Sequence, residues 1–504
     1  MTMTSYRNPD RETITVNDGD LPATARVLAS HLADMGSIFQ RAGTSVELCN
    51  VAGALQATPL EVHRVVMLAH DVCRPVRKTT DGELQEVTLP DRVAKMWLSL
   101  PEKNLRQLAG ITTAPLLSEH GAIRTEGGYD GASGLFSVGT PSLDVADRPT
   151  RADAEAALRS LRIQLCTFAF QDAVAPTVTS NHTIYTDLQA PPGLDESSAI
   201  AALLTSCCRQ SLGTAPGFMV TAPHLSGSGS GKGLLVRLIC QIAFGIPPSA
   251  ITRGDSQREL DQRIASELMA GASVVFVDNV NSHVLKSEIL AQILTEPHVR
   301  SRRLGGNSMV PIRNTAFVTV TGNAVRLGED LSRRFIQCGL DPRCEHPERR
   351  EFPEILSYAV HERAALLSSV LTIWRWGRQN DDALPRGSTL GSFEQWARWC
   401  RDPLLALGCR DPIDRMQAVK SNDPVRAELS ALFEAWHAAH GDTPQKFSDL
   451  SPPVQTLLHP SVRQSRVARL NQLVGARWNG FVLTHHGAVG RWGAATYRLL
   501  PTET

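Results

Sequence analysis

Residues 217–244, GFMVTAPHLSGSGSGKGLLVRLICQIAF, decide how this chain is read. An apolar run (Phe218, Met219, Val220) has the length and composition of a buried strand, and LLVRLICQIA has the density of apolar residues expected of a packed helix. Between them lies a run of serine and glycine ending at Lys232. A loop that cradles phosphate needs glycines so that backbone N–H groups can turn inward around the anion. Its lysine adds charge between the terminal phosphates. Gly227, Ser228, Gly229, Ser230, Gly231, Lys232 and Gly233 are therefore the candidate nucleotide-binding set. Two positions depart from the usual pattern: Ser226 stands at the first glycine, and Gly233 stands where a serine or threonine hydroxyl normally holds magnesium. A solvated Ser/Gly linker is the plain alternative, but the flanking strand and helix and a second motif downstream argue against it.

That second motif is SVVFVDNV, residues 273–280, an apolar run ending in an acid. It puts Asp278 at the C-terminal edge of a buried strand, where the magnesium of a bound ATP would be held. A buried strand that merely ends in Asp-Asn is the competing reading. Asn279 occupies the position at which many ring ATPases carry a second acid, and an amide orients water without taking its proton. ATP and Mg2+ are thus the implied ligands, with binding the firmer expectation than fast hydrolysis. NTAFVTVTGN, residues 314–323, ends a further strand at Asn323, whose amide would contact the γ-phosphate or the attacking water. A turn-forming Asn after Gly322 is the alternative. In DLSRRF, Arg333 and Arg334 are candidates to reach a neighbouring subunit's phosphates, against the cheaper explanation of surface ion pairs. Strands alternating with helices in this way predict an α/β fold, a parallel sheet covered on both faces.

Between the last two strands, VRSRRLGGNSMVPIRN (residues 299–314) reads as a hairpin turning at LGGN. Arg300, Arg302, Arg303 and Arg313 on its arms would track a phosphodiester backbone without reading sequence, unless they form a solvated charged edge. Near the C-terminus, two or three helices precede the strands GFVLTHH and ATYRLL, an order that suggests a winged helix-turn-helix. In that region Val467, Leu470 and Val474 share one helical face while Arg466 and Arg469 lie toward another, with Arg477, Arg491 and Arg498 adding charge near the wing. Such a surface suits DNA backbone, although winged helices also serve as protein contacts.

The rest of the chain is consistent with several folded units. It has 504 residues, 42% of them hydrophobic and 20% charged, as in ordinary globular proteins. Lys+Arg and Asp+Glu each total 51, so nucleic-acid contact must come from local clusters. Ten cysteines form no CxxC pair, which favours reduced structural thiols over a zinc site. There is no apolar leader and no run of about 18 apolar residues, so a cytoplasmic protein without membrane contact is expected. A helix over residues 21–34, two strands around Gly43 and helical text to about residue 71 make up a small α+β unit. Amphipathic helices are expected over residues 151–170 and 196–212, and a helical stretch from 353 to 407 whose Trp374, Trp376, Trp396 and Trp399 read as core. The expected organisation is an N-terminal α+β region (1–140), a linker and helical collar (141–195), the ATPase domain (196–345), a helical segment (346–424) and a winged-helix domain (425–504).

In the order glycine loop, Asp278, hairpin, Asn323, Arg333/Arg334, this region resembles superfamily 3 helicases, the AAA+-like ring ATPases of the phage, mobile-element and poxvirus primase-helicase type. The flanks NLRQLAGITTAPLLSEHGAIRTEGGYDGASGLF and GSFEQWARWCRDPLLALGCRDP look like the segments that border the ATPase in bacterial mobile-element members, so the resemblance runs from about Gln107 onward. It implies a P-loop AAA+-like core working as a homo-hexamer on single-stranded or forked DNA, with a primase or replication initiator as partner. By the same resemblance Lys232 binds phosphate, Asp278 binds magnesium, Asn323 is a sensor and Arg334 or Arg333 acts in trans. Primer synthesis is not expected, because neither a zinc-binding cysteine cluster nor a two-metal cluster of acids precedes the ATPase. Two other functions compete with the helicase: an ATP-binding DNA loader or switch that hardly hydrolyses, and a phage-defence or regulatory NTPase.

Overall fold

The computed structural model describes residues 11–51, 54–173, 177–178, 184–223, 229–281, 284–302, 309–344, 346–347, 354–388, 390–416, 424–458, 463–478, 480–488 and 495–501. The chain divides into two compact units, Met1–Asp414 and Arg415–Thr504.

The first unit opens with strand Glu12–Thr15, and helices Leu21–Ala33, Val62–Val72 and Asp91–Ser99 close over a core that includes Leu28, Leu68 and the fully buried Trp97. Strands Ile38–Arg41 and Thr44–Val51 pair antiparallel across a turn in which Ala42 and Gly43 take φ of 47° and 74°. Where helical text was expected, Ala54–Pro59 forms a third strand on Thr44–Val51. Its alanine-rich sequence suits a helix, but as a strand it sets Leu55 and Ala57 against the cluster around buried Phe39, and packing overrides propensity.

The centre of this unit is a five-stranded sheet, parallel throughout, in the order Ala250–Ile251, Val274–Val277, Phe317–Asn323, Gly217–Ala222, Phe335–Gly339. Fold class is therefore mixed α/β with a parallel sheet, as the alternating pattern predicts. From Gly217–Ala222 the chain goes on to helix Lys232–Phe244, which ends at Gly245 with φ 74°, the left-handed C-terminal glycine common at helix ends. Arg363 then takes the last carbonyls of that helix, donating to Ile242 at 3.2 Å and Ala243 at 3.0 Å.

The helix expected to be amphipathic at residues 196–212 is instead Leu194–Cys208, and every residue from Asp195 to Cys208 is buried. It packs on helix Lys232–Phe244, strand Phe335–Gly339 and helix Arg363–Gln379. Two of its small polar residues bond within the helix, Thr205 to the Ala201 carbonyl at 2.6 Å and Ser206 to that of Leu203 at 2.8 Å, and the Ser197 hydroxyl accepts the Arg410 N–H at 3.0 Å. The buried acids are matched as well. Asp195 accepts the Gly339 N–H at 2.7 Å, and Glu196 takes Arg162 at 2.7 and 3.2 Å. Burial pushes the Glu196 carboxyl up, with Arg162 opposing.

Helices Ile355–His361 and Arg363–Gln379 cover this core, and the tryptophans at 374, 376, 396 and 399 are buried, Trp374 and Trp399 meeting edge to face at 5.4 Å. They are core residues, as their spacing suggests. All ten cysteines are free of disulfides. In the second unit, helices Pro424–His440, Pro452–Leu457 and Arg463–Leu473 share a core of Trp436, Leu470, Leu483 and Leu499 with an antiparallel sheet. The sheet order is Gln445–Lys446, Ala495–Pro501, Phe481–Ala488, Arg477–Trp478. Among the described residues no helix is long and apolar enough to cross a membrane.

Candidate nucleotide site

Three adjacent strands, Val274–Val277, Phe317–Asn323 and Gly217–Ala222, run in one direction, and each delivers a candidate residue at or beyond its carboxyl end. Ser226, Gly227 and Ser228 lie outside the described residues. Beyond them Gly229 and Gly231 have φ of 74° and 92°, left-handed conformations that favour glycine, and the helix starts at Lys232. Ser230 is fully buried and its hydroxyl accepts from the Lys232 ammonium at 3.1 Å. Burial draws the Lys232 pKa down, and the charge of Asp278 pulls it part of the way back, which puts the two groups within electrostatic reach.

Asp278 follows Val277, and its N–H donates to the Ile251 carbonyl at 3.0 Å. Because Val277 pairs with Val320, the next residues face each other, and the buried Thr321 hydroxyl donates to the Asp278 carboxylate. The Thr321 hydroxyl oxygen also accepts the Asn279 N–H at 3.3 Å. Asn279 itself is left-handed, with φ 63°, and exposed. The chain then turns so tightly over the neighbouring strand that a Cβ on Gly322 would come within 2.1 Å of the Val280 carbonyl oxygen. Gly322 is thus required by the crossing of two strand ends, a reason that the sequence alone does not show.

Asn281 ties the edge together. Its amide nitrogen donates to the Asn279 side-chain oxygen at 2.6 Å, and its oxygen accepts the Asn323 N–H at 2.8 Å. Asn323 Oδ1 is buried with no hydrogen-bond partner among the described residues. Sequence reasoning missed Thr321 and Asn281. The available signals were a threonine at alternate positions of an apolar strand, a buried hydroxyl needing a partner, and a second asparagine in Asp278-Asn279-Val280-Asn281.

The arginines have partners within the chain. Arg333 is exposed and pairs with Asp330 at 2.6 Å. Arg334 is half-buried, donating to the Ala291 carbonyl, to Thr295 at 3.0 Å and to Asp330 at 2.7 Å, so it braces the end of helix Glu288–Thr295. Hydrogen bonding from Arg333, then the charge of both guanidiniums, holds the Asp330 carboxyl below its usual range. The hairpin exists as His298–Arg302 paired antiparallel with Met309–Arg313. Arg300 is exposed opposite Pro311, Arg302 pairs in register with Met309, and Arg303 lies outside the described residues. Arg313 is half-buried at the base, where it donates to the Ser133 carbonyl, and burial lowers its pKa. In the second unit Arg466 and Arg469 are half-buried on helix Arg463–Leu473 beside buried Leu470, and Arg491 lies outside the described residues. Among the described residues no group of three or more His, Cys, Asp or Glu side chains stands together as a metal site.

No family model matches the chain, and no curated protein matches it. Solved structures are similar to it in part. The C-terminal region of NrS-1 aligns over 82% of this chain and 91% of its own at 12% identity and a TM-score of 0.35. Cch of SCCmec type IV, described as an active helicase, aligns over 93% and 98% at 10% identity and 0.31. JCV helicase aligns over 56% and 71% at 11% identity and 0.22.

Proposed function

We propose that the first unit is a P-loop ATPase of the superfamily 3, AAA+-like kind, and that the protein is a DNA helicase for replication of a mobile element. The observation that carries this reading is the convergence of Lys232, Asp278 and Asn323 at the carboxyl edge of three neighbouring parallel strands, the place where open α/β sheets bind ligands. In this reading the backbone N–H groups around Gly229 and Gly231 and the Lys232 ammonium hold the triphosphate. Asp278 takes magnesium, which would neutralise charge on the transferring phosphoryl group. Thr321 fixes the rotamer of that carboxylate. Asn323 and Asn279, linked through Asn281, orient the attacking water.

The remaining parts follow from the same reading. ATP would be bound between subunits of a homo-hexamer, with Arg333 or Arg334 leaving Asp330 to reach the neighbouring phosphate. Arg300, Arg302 and Arg303 on the hairpin would follow single-stranded or forked DNA, with Arg313 anchoring its base. The second unit, in which helices share a core with an antiparallel sheet, would be a winged helix holding duplex or a primase or initiator partner through Arg466, Arg469 and Arg491. Strand displacement on a fork with ATP tests the proposal: wild type unwinds and Lys232→Ala does not.

Gly233, with no hydroxyl for the metal, and Asn279, an amide in place of an acid, favour a second reading as an ATP-binding loader or switch. Assemblies that bind DNA with ATP but never separate strands would decide for it. ATPase and assembly indifferent to any nucleic acid would point instead to a defence or regulatory NTPase.

A further inference from the structure

Helix Lys232–Phe244 carries Arg237 one turn beyond Gly233. Side chains on a helix lean toward its N-terminus, so residue 237 lies back over residue 233. The contact is close: a Cβ on Gly233 would stand 2.8 Å from an Arg237 guanidinium nitrogen. The guanidinium carbon also lies 6.0 Å from the ring centroid of Phe276, at the outer limit of a cation–π contact. Phe276 is two residues before Asp278 and so shares its face of the strand. Arg237 is half-buried, and no ion pair or hydrogen bond takes it among the described residues. A guanidinium has five donors and holds its charge at any physiological pH. Here that fork stands over the first turn of the helix, on the ground a serine or threonine would occupy, with Lys232 beside it and Asp278 as the acid at the sheet edge.

Resting on the nucleotide-site reading, we propose that Arg237 is a second phosphate-binding cation of this site, supplying the positive charge that a hydroxyl-held magnesium supplies elsewhere. Gly233 is then a requirement of that arrangement, because any side chain there would displace the guanidinium. The chain would accordingly bind nucleoside triphosphates with little dependence on a divalent cation, while AMP, lacking the terminal phosphates, would not engage Arg237.

Calorimetric titration of the full chain with ATP and AMP, in magnesium and in EDTA, tests this. Wild type is expected to hold ATP in EDTA almost as well as in magnesium. Arg237→Met should weaken ATP in EDTA about ten- to hundredfold, the worth of one charge-assisted hydrogen bond, and leave AMP unchanged. Arg237→Lys, which keeps the charge without the fork, should recover part of the loss. If Arg237→Met fails to fold, Gly233→Ala on the wild-type arginine should give the same loss in EDTA. Either variant binding ATP in EDTA as wild type does, while Lys232→Ala does not, overturns the role of Arg237 and leaves the nucleotide site standing. ATP binding unaffected by Lys232→Ala as well would overturn the nucleotide site itself.

Discussion

Thr321→Val separates the orientation of Asp278 from everything else in the site. The residue is 1% exposed, its hydroxyl donates to the Asp278 carboxylate, and its oxygen accepts the Asn279 N–H at 3.3 Å. Valine keeps the shape and the β-branched preference for the strand, and removes only these two bonds. The Asn279 N–H lies at an exposed residue and can turn to water, so the structural loss is the bond to the carboxylate less what water returns, about 1–2 kcal/mol. For a unit of this size that moves Tm by only a few degrees. Function should suffer more. A hydrogen bond to a charged group is worth about 1.5–3 kcal/mol, and if its work is to hold the carboxylate in the productive rotamer, kcat for ATP hydrolysis falls about ten- to hundredfold. ATP affinity in EDTA should not change, because on the proposed reading Asp278 would act on the metal rather than on the nucleotide. Thr321→Ser, which restores the hydroxyl, should return kcat toward wild type. Steady-state ATPase with a parallel titration in EDTA reads all of this. A Thr321→Val protein with wild-type kcat and a lowered Tm would refute the reasoning and leave Thr321 as a structural bond.

Two further outcomes follow from other parts of the first unit. Arg41 is 5% exposed, and its guanidinium donates to the carbonyls of Leu108 (3.2 Å), Ala109, Leu268 (2.7 Å) and Met269 (2.9 Å), joining the N-terminal sheet to the end of helix Gln257–Ala270. Arg41→Ala leaves four carbonyls short of a donor and should cost about 3 kcal/mol in denaturant unfolding, with faster amide exchange at the end of that helix. The lowered pKa of Lys232 gives a pH dependence with a definite sign. Only the charged amine binds phosphate, so ATP affinity is full below that pKa and is lost as pH rises through it, at lower pH than the ordinary lysine value of 10.5. Titrations on the alkaline side of neutrality should show this loss together with proton uptake on binding, and an affinity flat up to 10.5 would be against it.

What could be read from the sequence was local. The glycines around residue 230, the lysine and the apolar runs on either side specify strand, loop and helix within one short stretch. The tryptophans at 374, 396 and 399 declare themselves as core by helical spacing. Thr321 and Asn281 could not be read in this way, because their roles depend on the register between strands far apart in the chain: Val277 opposite Val320 is what brings Thr321 to Asp278. Helix Leu194–Cys208 differs from the amphipathic expectation because Ser, Thr and Cys count as polar in a periodicity argument, yet here they are buried, with the Thr205 and Ser206 hydroxyls satisfied by the helix itself. Arg313 and Arg334 look alike in sequence to exposed basic residues. Packing alone reveals that one anchors a hairpin to Ser133 and the other braces a helix end.

The absence of an acid at residue 279 costs the proposed ATPase less than it would cost an enzyme that must deprotonate its nucleophile early. Phosphoryl transfer passes through a loose transition state, in which positioning of the water and neutralisation of charge on the phosphoryl oxygens matter more than removal of a proton. On the proposed reading the sheet edge would serve those two tasks. Asn281 bonds at once to the Asn279 side chain and the Asn323 backbone N–H, which links the two strand ends. Thr321 holds the carboxylate beside them. Asn279→Asp would add a base but also a second negative charge beside Asp278, and its new carboxylate would lie within reach of the Asn281 amide that now fixes the neutral side chain. On this reasoning Asn279→Asp raises the pH dependence of hydrolysis more than its maximal rate. Asn281→Ala, which breaks the link and adds no charge, lowers kcat without changing ATP affinity; a loss of affinity as large as the loss of rate would show that the asparagines serve binding instead.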